Sequence, residues 1–284
     1  MSKYHIEKIT CPSCHHDGNF EVWDSINTVL DPEMKEKLLN QSIFLYTCPN
    51  CGETFRLNYP ILYHQMEDLV MIYLVPESEV EKTYEIFYEK NALADFRTKK
   101  YLNRIVTSAN QLVEKIQIFD AGKDDRIMEL VKLLATDSIL KNDPDKEFDE
   151  LRFAVDDDGT NILVIINKGE ITGAVDIDNM YEFASSHCDD FKDLRDDKDI
   201  VINREWILNK LAEAISARID GDRQQTPQST QSASSISKVQ CPYCKSYNTQ
   251  KISGFSRSLS TFLFGMNSKK IGKQWHCTNC GSDF

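Results

Sequence analysis

Eight cysteines in four C-x-x-C pairs are the residues of this chain whose type and spacing most clearly predict chemistry. Two residues between thiols form a tight turn that directs both sulfur atoms at one ion, and four thiolates complete the shell of a structural zinc site. The ninth cysteine, Cys188, has no such neighbour. The four pairs are Cys11 and Cys14, Cys48 and Cys51, Cys241 and Cys244, and Cys277 and Cys280.

The spacing between the pairs predicts two separate metal sites. The first two pairs are separated by 33 intervening residues and the last two by 32, which is long enough for a small sheet to bring one turn onto the other. Proline lies inside three of the four pairs and glycine follows two of the four, and both residues suit the turn of a zinc knuckle. We therefore predict two structural zinc ions per chain, with iron as the competing metal because four thiolates also bind iron.

Composition and charge exclude several classes of protein. The chain has 284 residues, of which 41% are hydrophobic, and its net charge of -12 argues against an overall affinity for nucleic acid or anionic membrane. The longest apolar run, Leu69 to Val75, is far shorter than the roughly 20 residues of a membrane helix. The N-terminal segment lacks the apolar core of a signal peptide, so we expect a cytoplasmic protein without structural disulfides.

The apolar patterns that must position the thiols predict an α+β fold in four regions. These are an N-terminal four-cysteine zinc-ribbon sheet (1–76), a helical and antiparallel-sheet middle (77–220), a flexible linker rich in Gln, Ser and Thr (221–238), and a C-terminal four-cysteine zinc ribbon (239–284). Asp31-Pro32 predicts the start of a helix. Residues 61–75 predict a hairpin, and alternation from Leu151 onward predicts three strands in the middle region.

Three further local patterns give predictions that the structure can test. Leu102, Ile105 and Val106 form a stripe with helical spacing, and 200–202 suggest a short strand. Asp124 or Asp125 is expected to cap a helix, although Asp124-Asp125-Arg126 could instead bind a divalent ion or phosphate. Capping is the simpler interpretation.

Several N-terminal motifs carry a family resemblance. They are CPxC at 11–14, VWDSIN at 22–27, DP at 31–32, TCPxCG at 47–52 and YPxxYH at 59–64. In these motifs the chain is similar to the CpXC domain of bacterial proteins. The resemblance is expected to continue through 114–116 and 124–126, and so to cover roughly residues 1–220. The tail resembles a bacterial zinc-ribbon module. The resemblance implies a zinc-binding domain and adds no reaction.

Other polar groups could form an active site, but each has a simpler interpretation. Tyr63, His64 and Asp68 lie on the predicted hairpin and could support a hydrolase or nuclease, or they could be an exposed polar strand face. His15 and His16 follow the first knuckle, and one of them could bind the metal if a thiol were displaced. A position beside the ligands or at the surface is the simpler interpretation. His187 and Cys188 are sequence neighbours on a predicted helix and point about 100° apart, which disfavours a catalytic dyad. All eight paired thiols are assigned to metal, so no catalytic residue is predicted.

The C-terminal region differs from the rest of the chain in charge. It has six basic residues and one acidic residue, together with several aromatic residues. Basic residues interleaved with aromatics suit nucleic-acid phosphates and stacked bases, although a module this small also needs its aromatics for its core. The candidate nucleic-acid contacts are Lys245, Lys251, Arg257, Lys269, Lys270 and Lys273.

One apolar segment of the C-terminal region is expected to bind a partner. It comprises Phe262, Leu263, Phe264 and Met266, and a ribbon of this size does not readily bury all four side chains. The sequence therefore favours a structural zinc-binding protein that acts through protein–protein interaction, as an adaptor. A nucleic-acid-associated regulator acting through the C-terminal ribbon is the first alternative, and a hydrolase or nuclease is the second.

Overall fold

The structure is a computed structural model, and it describes residues 2–88, 101–187, 199–224, 240–251, 275–277, 279, 280 and 282. Some sequence predictions fall on other residues and lie outside this part of the chain. They concern Cys188, most of the predicted linker, the apolar segment Phe262 to Met266, the side chain of Lys251, and the basic residues Arg257, Lys269, Lys270 and Lys273.

The first part of the chain folds around a five-stranded mixed sheet. Its elements are β1 (Lys3–Thr10), β2 (Asp17–Asn27), α1 (Pro32–Leu39), β3 (Leu45–Thr47), β4 (Thr54–Arg56), β5 (Ile61–Gln65), β6 (Val70–Leu74), α2 (Val80–Tyr88), β7 (Leu102–Val106) and α3 (Ala109–Asp120). The strand order is β1-β2-β5-β6-β7. The β1–β2 and β5–β6 pairs are antiparallel, whereas β2–β5 and β6–β7 are parallel. The predicted helix after Asp31 and the predicted hairpin at 61–75 are confirmed.

The core of this part lies between the sheet and the helices α1 and α3. Ile26 and Ile72 of the sheet, Leu38 of α1, and Leu112 and Ile116 of α3 have no accessible surface. Removing such side chains from water is the main favourable contribution to folding. The packing therefore keeps β2, and the hairpin that it forms with β1, in a defined position.

The fifth strand corrects a sequence prediction. The helical stripe expected at 102–106 is wrong, because these residues form β7, which pairs in parallel with β6 from Leu102 opposite Val70 to Val106 opposite Leu74. Adjacent buried Ile105 and Val106 suit a strand covered on both faces, and their spacing alone does not exclude one. The predicted strand at 200–202 is also wrong: this segment is irregular, although the backbone amide of Ile105 donates to the carbonyl of Ile200 at 2.8 Å.

The middle of the chain adds a second core on an antiparallel sheet. Its elements are α4 (Asp125–Asn142), β8 (Glu150–Val155), β9 (Asn161–Asn167), β10 (Glu170–Asp176), α5 (Asp178–His187) and α6 (Arg204–Gln224). The strands lie in the order β10-β9-β8, as the alternating pattern predicts. Phe119 of α3 packs against both cores and so links them. Helix α6 ends at Gln224, a few residues inside the region expected to be linker.

The described C-terminal residues form a two-stranded sheet. Strand β11 (Thr249–Lys251) pairs with β12 (Trp275–Cys277) in antiparallel register, with Thr249 opposite Cys277. The predicted α+β class, with a four-cysteine cluster at each end, is therefore confirmed. The division at residue 76 stays a prediction, and the main sheet takes its last strand from beyond it. None of the helices in the described ranges is both long enough and apolar enough to span a membrane.

Candidate metal centres

The N-terminal site joins two hairpins through their turns. Cys11 and Cys14 lie in the turn between β1 and β2, and Cys48 and Cys51 lie in the turn between β3 and β4. The Sγ atom of Cys11 is 3.7 Å from that of Cys51, and the Sγ atom of Cys14 is 3.6 Å from that of Cys48. The structure thus brings together the four thiols that the spacing assigns to one site, all within 4.8 Å of one another.

A small aromatic cluster lies beneath this site. Tyr46 of β3 packs edge-to-face on Phe20 of β2, with ring centroids 6.1 Å apart, and contacts Phe55 of β4 at 5.2 Å. Gly18 lies so close to the Tyr46 ring that a side chain at position 18 would collide with its hydroxyl. With the buried Cys11 and Cys48 and the partly buried Ile9, Cys14 and Leu57, these aromatic residues form a small core beneath the knuckles. Such a small core needs an additional constraint, which a bound metal supplies.

The C-terminal site repeats this geometry. Cys241 is 3.7 Å from Cys280 and Cys244 is 3.5 Å from Cys277, measured between Sγ atoms. As in the N-terminal site, the first cysteine of each pair is buried and the last cysteine of the site is exposed. The second predicted group of four thiols is therefore also assembled.

The sulfur separations identify what the two sites can hold. A disulfide requires sulfur atoms about 2.05 Å apart, far closer than these. A tetrahedral shell with metal–sulfur bonds of about 2.3 Å places its ligands about 3.8 Å apart, close to the distances in both sites. Among the described residues, these two groups are the clusters that could bind a metal ion. The donor set fits zinc, whose four positions would all be filled by thiolates.

The family comparison agrees with this geometry for the first part of the chain. Residues 9–132 match the model of the CpXC protein family. The match includes both N-terminal knuckles, the strands β2 to β7 and helix α3, so this part of the chain is similar to the CpXC family. It ends at residue 132, well before the limit near 220 expected from the sequence. No curated protein and no solved structure gives a significant match to the chain.

Each knuckle of the N-terminal site closes through a left-handed residue after its second cysteine. His15 has φ of 59° and Gly52 has φ of 75° at this position. The amide of His15 donates to the carbonyl of Cys11, and that of Gly52 to the carbonyl of Cys48, both at 2.9 Å. In the C-terminal site Lys245, at φ of 60°, has the same role. His15 is exposed, as expected, and its side chain is not needed for the turn.

Replacing Gly52 with alanine is expected to weaken metal binding at the N-terminal site by about tenfold, because a side chain in the left-handed region costs about 1–2 kcal/mol. Zinc competition with a chelator would measure the change. His15→Ala is the matched control: this position already carries a side chain in the same conformation, so zinc affinity should hardly change. Equal losses in the two variants would contradict the backbone explanation.

Each metal site also contains an asparagine beside its thiols, which the sequence did not identify as part of the site. The side-chain amide of Asn50 lies 3.5 Å from the Sγ atom of Cys14, and that of Asn279 lies 3.7 Å from the Sγ atom of Cys244. Both asparagines directly precede the last cysteine of their site. They occupy the same position when the segments 47–55 and 276–284, which share the pattern CxNCG, are aligned. Hydrogen bonds of this kind orient a thiolate ligand and reduce its charge.

The thiols of the N-terminal site differ in acidity when no metal is bound. The side chain of Asn50, together with the backbone at His16, lowers the pKa of Cys14 to about 6. The backbone at Glu53 lowers the pKa of Cys51, but the neighbouring thiols and burial outweigh it and raise the value to about 12. Because a metal ion binds thiolates, its binding would release the proton that the raised pKa keeps on Cys51.

The three side chains of the candidate acid–base group do not come together at one place. Tyr63 is fully buried in the core, and its hydroxyl donates to Gln65 at 2.6 Å. His64 points to the opposite face of the strand, where its Nε2 atom is 3.1 Å from the hydroxyl of Tyr101. Burial lowers the pKa of His64, so it is neutral near pH 7. Asp68 accepts a hydrogen bond from Gln65, on the side away from His64.

The segment Asp124-Asp125-Arg126 caps a helix, as the simpler interpretation predicts. The Oδ1 atom of Asp124 accepts a hydrogen bond from the amide of Arg126 at 2.9 Å, at the first turn of α4. Asp125 is fully buried, and both of its oxygen atoms lie 2.7 Å from the guanidinium of Arg104. The ammonium of Lys115 is a further 2.7 Å contact. These bonds occupy the carboxylate that could otherwise have bound an ion.

Asp125 belongs to a buried network of charges that the sequence analysis missed. Lys132 lies 2.9 Å from both Glu114 and Glu129, and Glu114 also accepts a hydrogen bond from the backbone of Phe153 in β8. The network borders a cavity of about 290 Å³, but its positive and negative charges compensate one another. We assign it the structural role of joining the main sheet to the second core. Its members are Arg104, Glu114, Lys115, Asp125, Glu129 and Lys132.

The C-terminal knuckle presents aromatic and basic side chains to solvent. Tyr243 is 65% exposed and Tyr247 is 56% exposed, and the exposed Lys245 lies between them in sequence. The interpretation of the C-terminal aromatics as core residues therefore does not hold for these two tyrosines. His187, the described half of the disfavoured dyad, contacts Ser186 and the carbonyl of Phe183.

Proposed function

We propose that this protein is a non-catalytic zinc-binding protein whose two metal sites stabilise two recognition modules. The observation that carries the proposal is the closed donor set at each site. Four thiols lie within 4.8 Å of one another in both groups. Zinc bound by four thiolates has no position left for water or substrate, so its contribution is to folding.

The first test is the metal content of the purified protein, with thiol release followed as the metal is removed. We expect two zinc ions per chain and eight thiols released in two steps, because the two sites are separate in sequence. Iron in place of zinc, or one ion per chain, would overturn the assignment of two structural zinc sites. A redox or sensing function would then be the better hypothesis.

The presence of two separate metal sites supports the proposed adaptor function. The turns of the N-terminal knuckles expose their intervening residues, as does the turn after Cys241. A metal site near a turn holds such a surface rigid, which lowers the entropic cost of binding a partner.

The adaptor function can be tested by comparing the cross-linked partners of two variants. Cys48→Ser should abolish one set of partners and Cys241→Ser a different set, since each substitution unfolds one module. Identical partner sets for both variants and for the unaltered chain would contradict a function with two recognition ends.

Nucleic-acid binding through the C-terminal module is a second candidate, favoured by the exposure of Tyr243 and Tyr247 beside Lys245. Exposed aromatic rings next to a lysine suit stacked bases and a phosphate. Binding to single-stranded RNA or DNA should weaken steeply as salt rises. Tyr243→Ala with Tyr247→Ala should also weaken it, whereas Tyr84→Ala in α2 should not. Absence of binding at low salt would remove this candidate.

A further inference from the structure

We propose that the outer edge of β1 is a self-association surface through which two copies of this chain pair in antiparallel fashion. The strand order places β1 and β7 at the two edges of the main sheet. An unpaired edge presents a row of free N–H and C=O groups that can pair with another strand. The second copy would continue the sheet across the contact.

The two edges of the sheet are not equivalent. The edge at β7 is partly covered, since the amide of Ile105 donates to the carbonyl of Ile200 at 2.8 Å. Among the described residues, β1 pairs with β2 alone, in regular register from Tyr4 to Thr10. Seven of its eight residues are exposed, and only Ile9 is partly buried. Within the described ranges, the outer edge of β1 is therefore long, regular and accessible.

The exposed residues of β1 include large apolar side chains. Tyr4 and Ile6 are each 53% exposed and lie on the same face of the strand. The Tyr4 ring is 5.0 Å from that of Trp23 on β2, which extends the apolar surface to the neighbouring strand. A second copy pairing at this edge would cover part of this surface.

The backbone pattern restricts the register of such a pair. Along an antiparallel edge, residues alternate between those whose N–H and C=O groups point outward and those whose groups point inward. A residue whose backbone groups point outward must lie opposite another such residue of the second copy. A two-fold axis between the copies therefore has to pass between two copies of the same residue. Near the middle of β1 the choices are His5, Ile6 and Glu7.

Charge selects one of these three registers. An axis through Glu7 would oppose two carboxylates, and an axis through His5 would pair only residues 3–7. An axis through Ile6 places His5 opposite Glu7 of the second copy and Tyr4 opposite Lys8 of the second copy. Within its own chain, His5 lies 3.6 Å from Glu7 and 3.2 Å from Asp24, so its imidazole already contacts carboxylates on this face. Imidazole–carboxylate and aromatic–cation contacts at facing positions stabilise a strand pair. The pairing is therefore self-complementary.

The comparable edge of the second sheet lacks these features. Strand β10 has a register shift between Ile171 and Gly173, and it is acidic at both ends. Antiparallel self-pairing would bring Glu170 near Asp176 of a second copy. Bulges and charges of this kind protect an edge from pairing. The contrast supports β1 as the edge used.

Disulfide trapping of the zinc-loaded full chain tests both the contact and its register. In a Cys188→Ser background, Ile6→Cys should form a covalent dimer under mild oxidation, because facing Cα atoms in a strand pair are about 4.5–5.5 Å apart. Tyr4→Cys alone is the matched control and should not, because Tyr4 faces Lys8. A mixture of Tyr4→Cys and Lys8→Cys chains should cross-link.

Sedimentation equilibrium over a wide concentration range tests association without cross-linking. We expect a monomer–dimer equilibrium that Glu7→Lys weakens by at least about fivefold and that His5→Glu with Glu7→Lys restores. Melting temperatures of the variants would separate loss of pairing from loss of folding. A monomer at every concentration, or cross-linking at positions 4 and 6 at equal rates, would overturn the proposal.

Discussion

A Cys48→Ser variant is expected to retain one metal ion per chain instead of two and to lose the folded N-terminal module. Cys48 is buried 3.6 Å from Cys14, and the aromatic cluster below it is too small to keep the turns together. Zinc binding contributes on the order of 10 kcal/mol to modules of this type. Elemental analysis would give the metal content, and limited proteolysis should show rapid cleavage near β3 and β4.

The control for this prediction is another cysteine substitution. Cys188 is not part of a C-x-x-C pair, so Cys188→Ser should keep both ions and the proteolytic pattern of the unaltered protein. The second core, around Phe153 and Leu163, should stay folded in both variants because it contains no metal ligand. Two ions in Cys48→Ser would show that this thiol is not required for binding.

An Asp125→Asn variant is expected to lower the free energy of unfolding by about 3–5 kcal/mol, because it leaves Arg104 buried without its counter-charge and leaves Lys115 only the more distant Glu129, at 4.0 Å. Both cations have almost no accessible surface. Such a loss is a large part of the total stability of a typical domain. Equilibrium unfolding in urea, followed by circular dichroism, would measure it.

An exposed ion pair provides the matched control. Asp137 and Lys141 lie four residues apart on the surface of α4, and Asp137→Asn should cost less than about 1 kcal/mol. A double-mutant cycle that combines Arg104→Met with Asp125→Asn should give a large interaction free energy, since the two side chains share two hydrogen bonds. Similar losses for Asp125→Asn and Asp137→Asn would contradict a special role for the buried network.

The buried pair of Asp125 and Arg104 also contributes to the stability of the folded protein against acid. Burial by itself would raise the pKa of Asp125, but Arg104 and Lys115 outweigh it and hold the pKa well below its usual range. A lowered pKa stabilises the folded state above the unfolded value near 3.9, and this stabilisation disappears as the pH falls further. Unfolding free energies should therefore decline below about pH 4 in the unaltered protein, and this decline should be smaller in Asp125→Asn.

The sequence carried reliable information wherever a local pattern has one physical solution. The C-x-x-C spacing predicts that two thiols share a turn, and Asp31-Pro32 predicts a helix start, since both depend on a few neighbouring residues. The alternation at 151–155 predicts a strand for the same reason. The sequence was less informative at 102–106, because a short apolar run suits a helix or a buried strand equally well. Only the pairing with β6 decides between them.

The sequence by itself determined that this protein has two groups of four thiols and which C-x-x-C pairs belong to each group. It also determined that the fold contains both helices and strands. Only the tertiary structure decided that Tyr63 and His64 face opposite ways, that Asp125 is enclosed by Arg104 and Lys115, and that β1 lies at an open edge. The physical reason is range. Thiol pairs and helix caps involve residues within one turn of each other, whereas burial, ion pairing and strand order depend on segments that folding alone brings together.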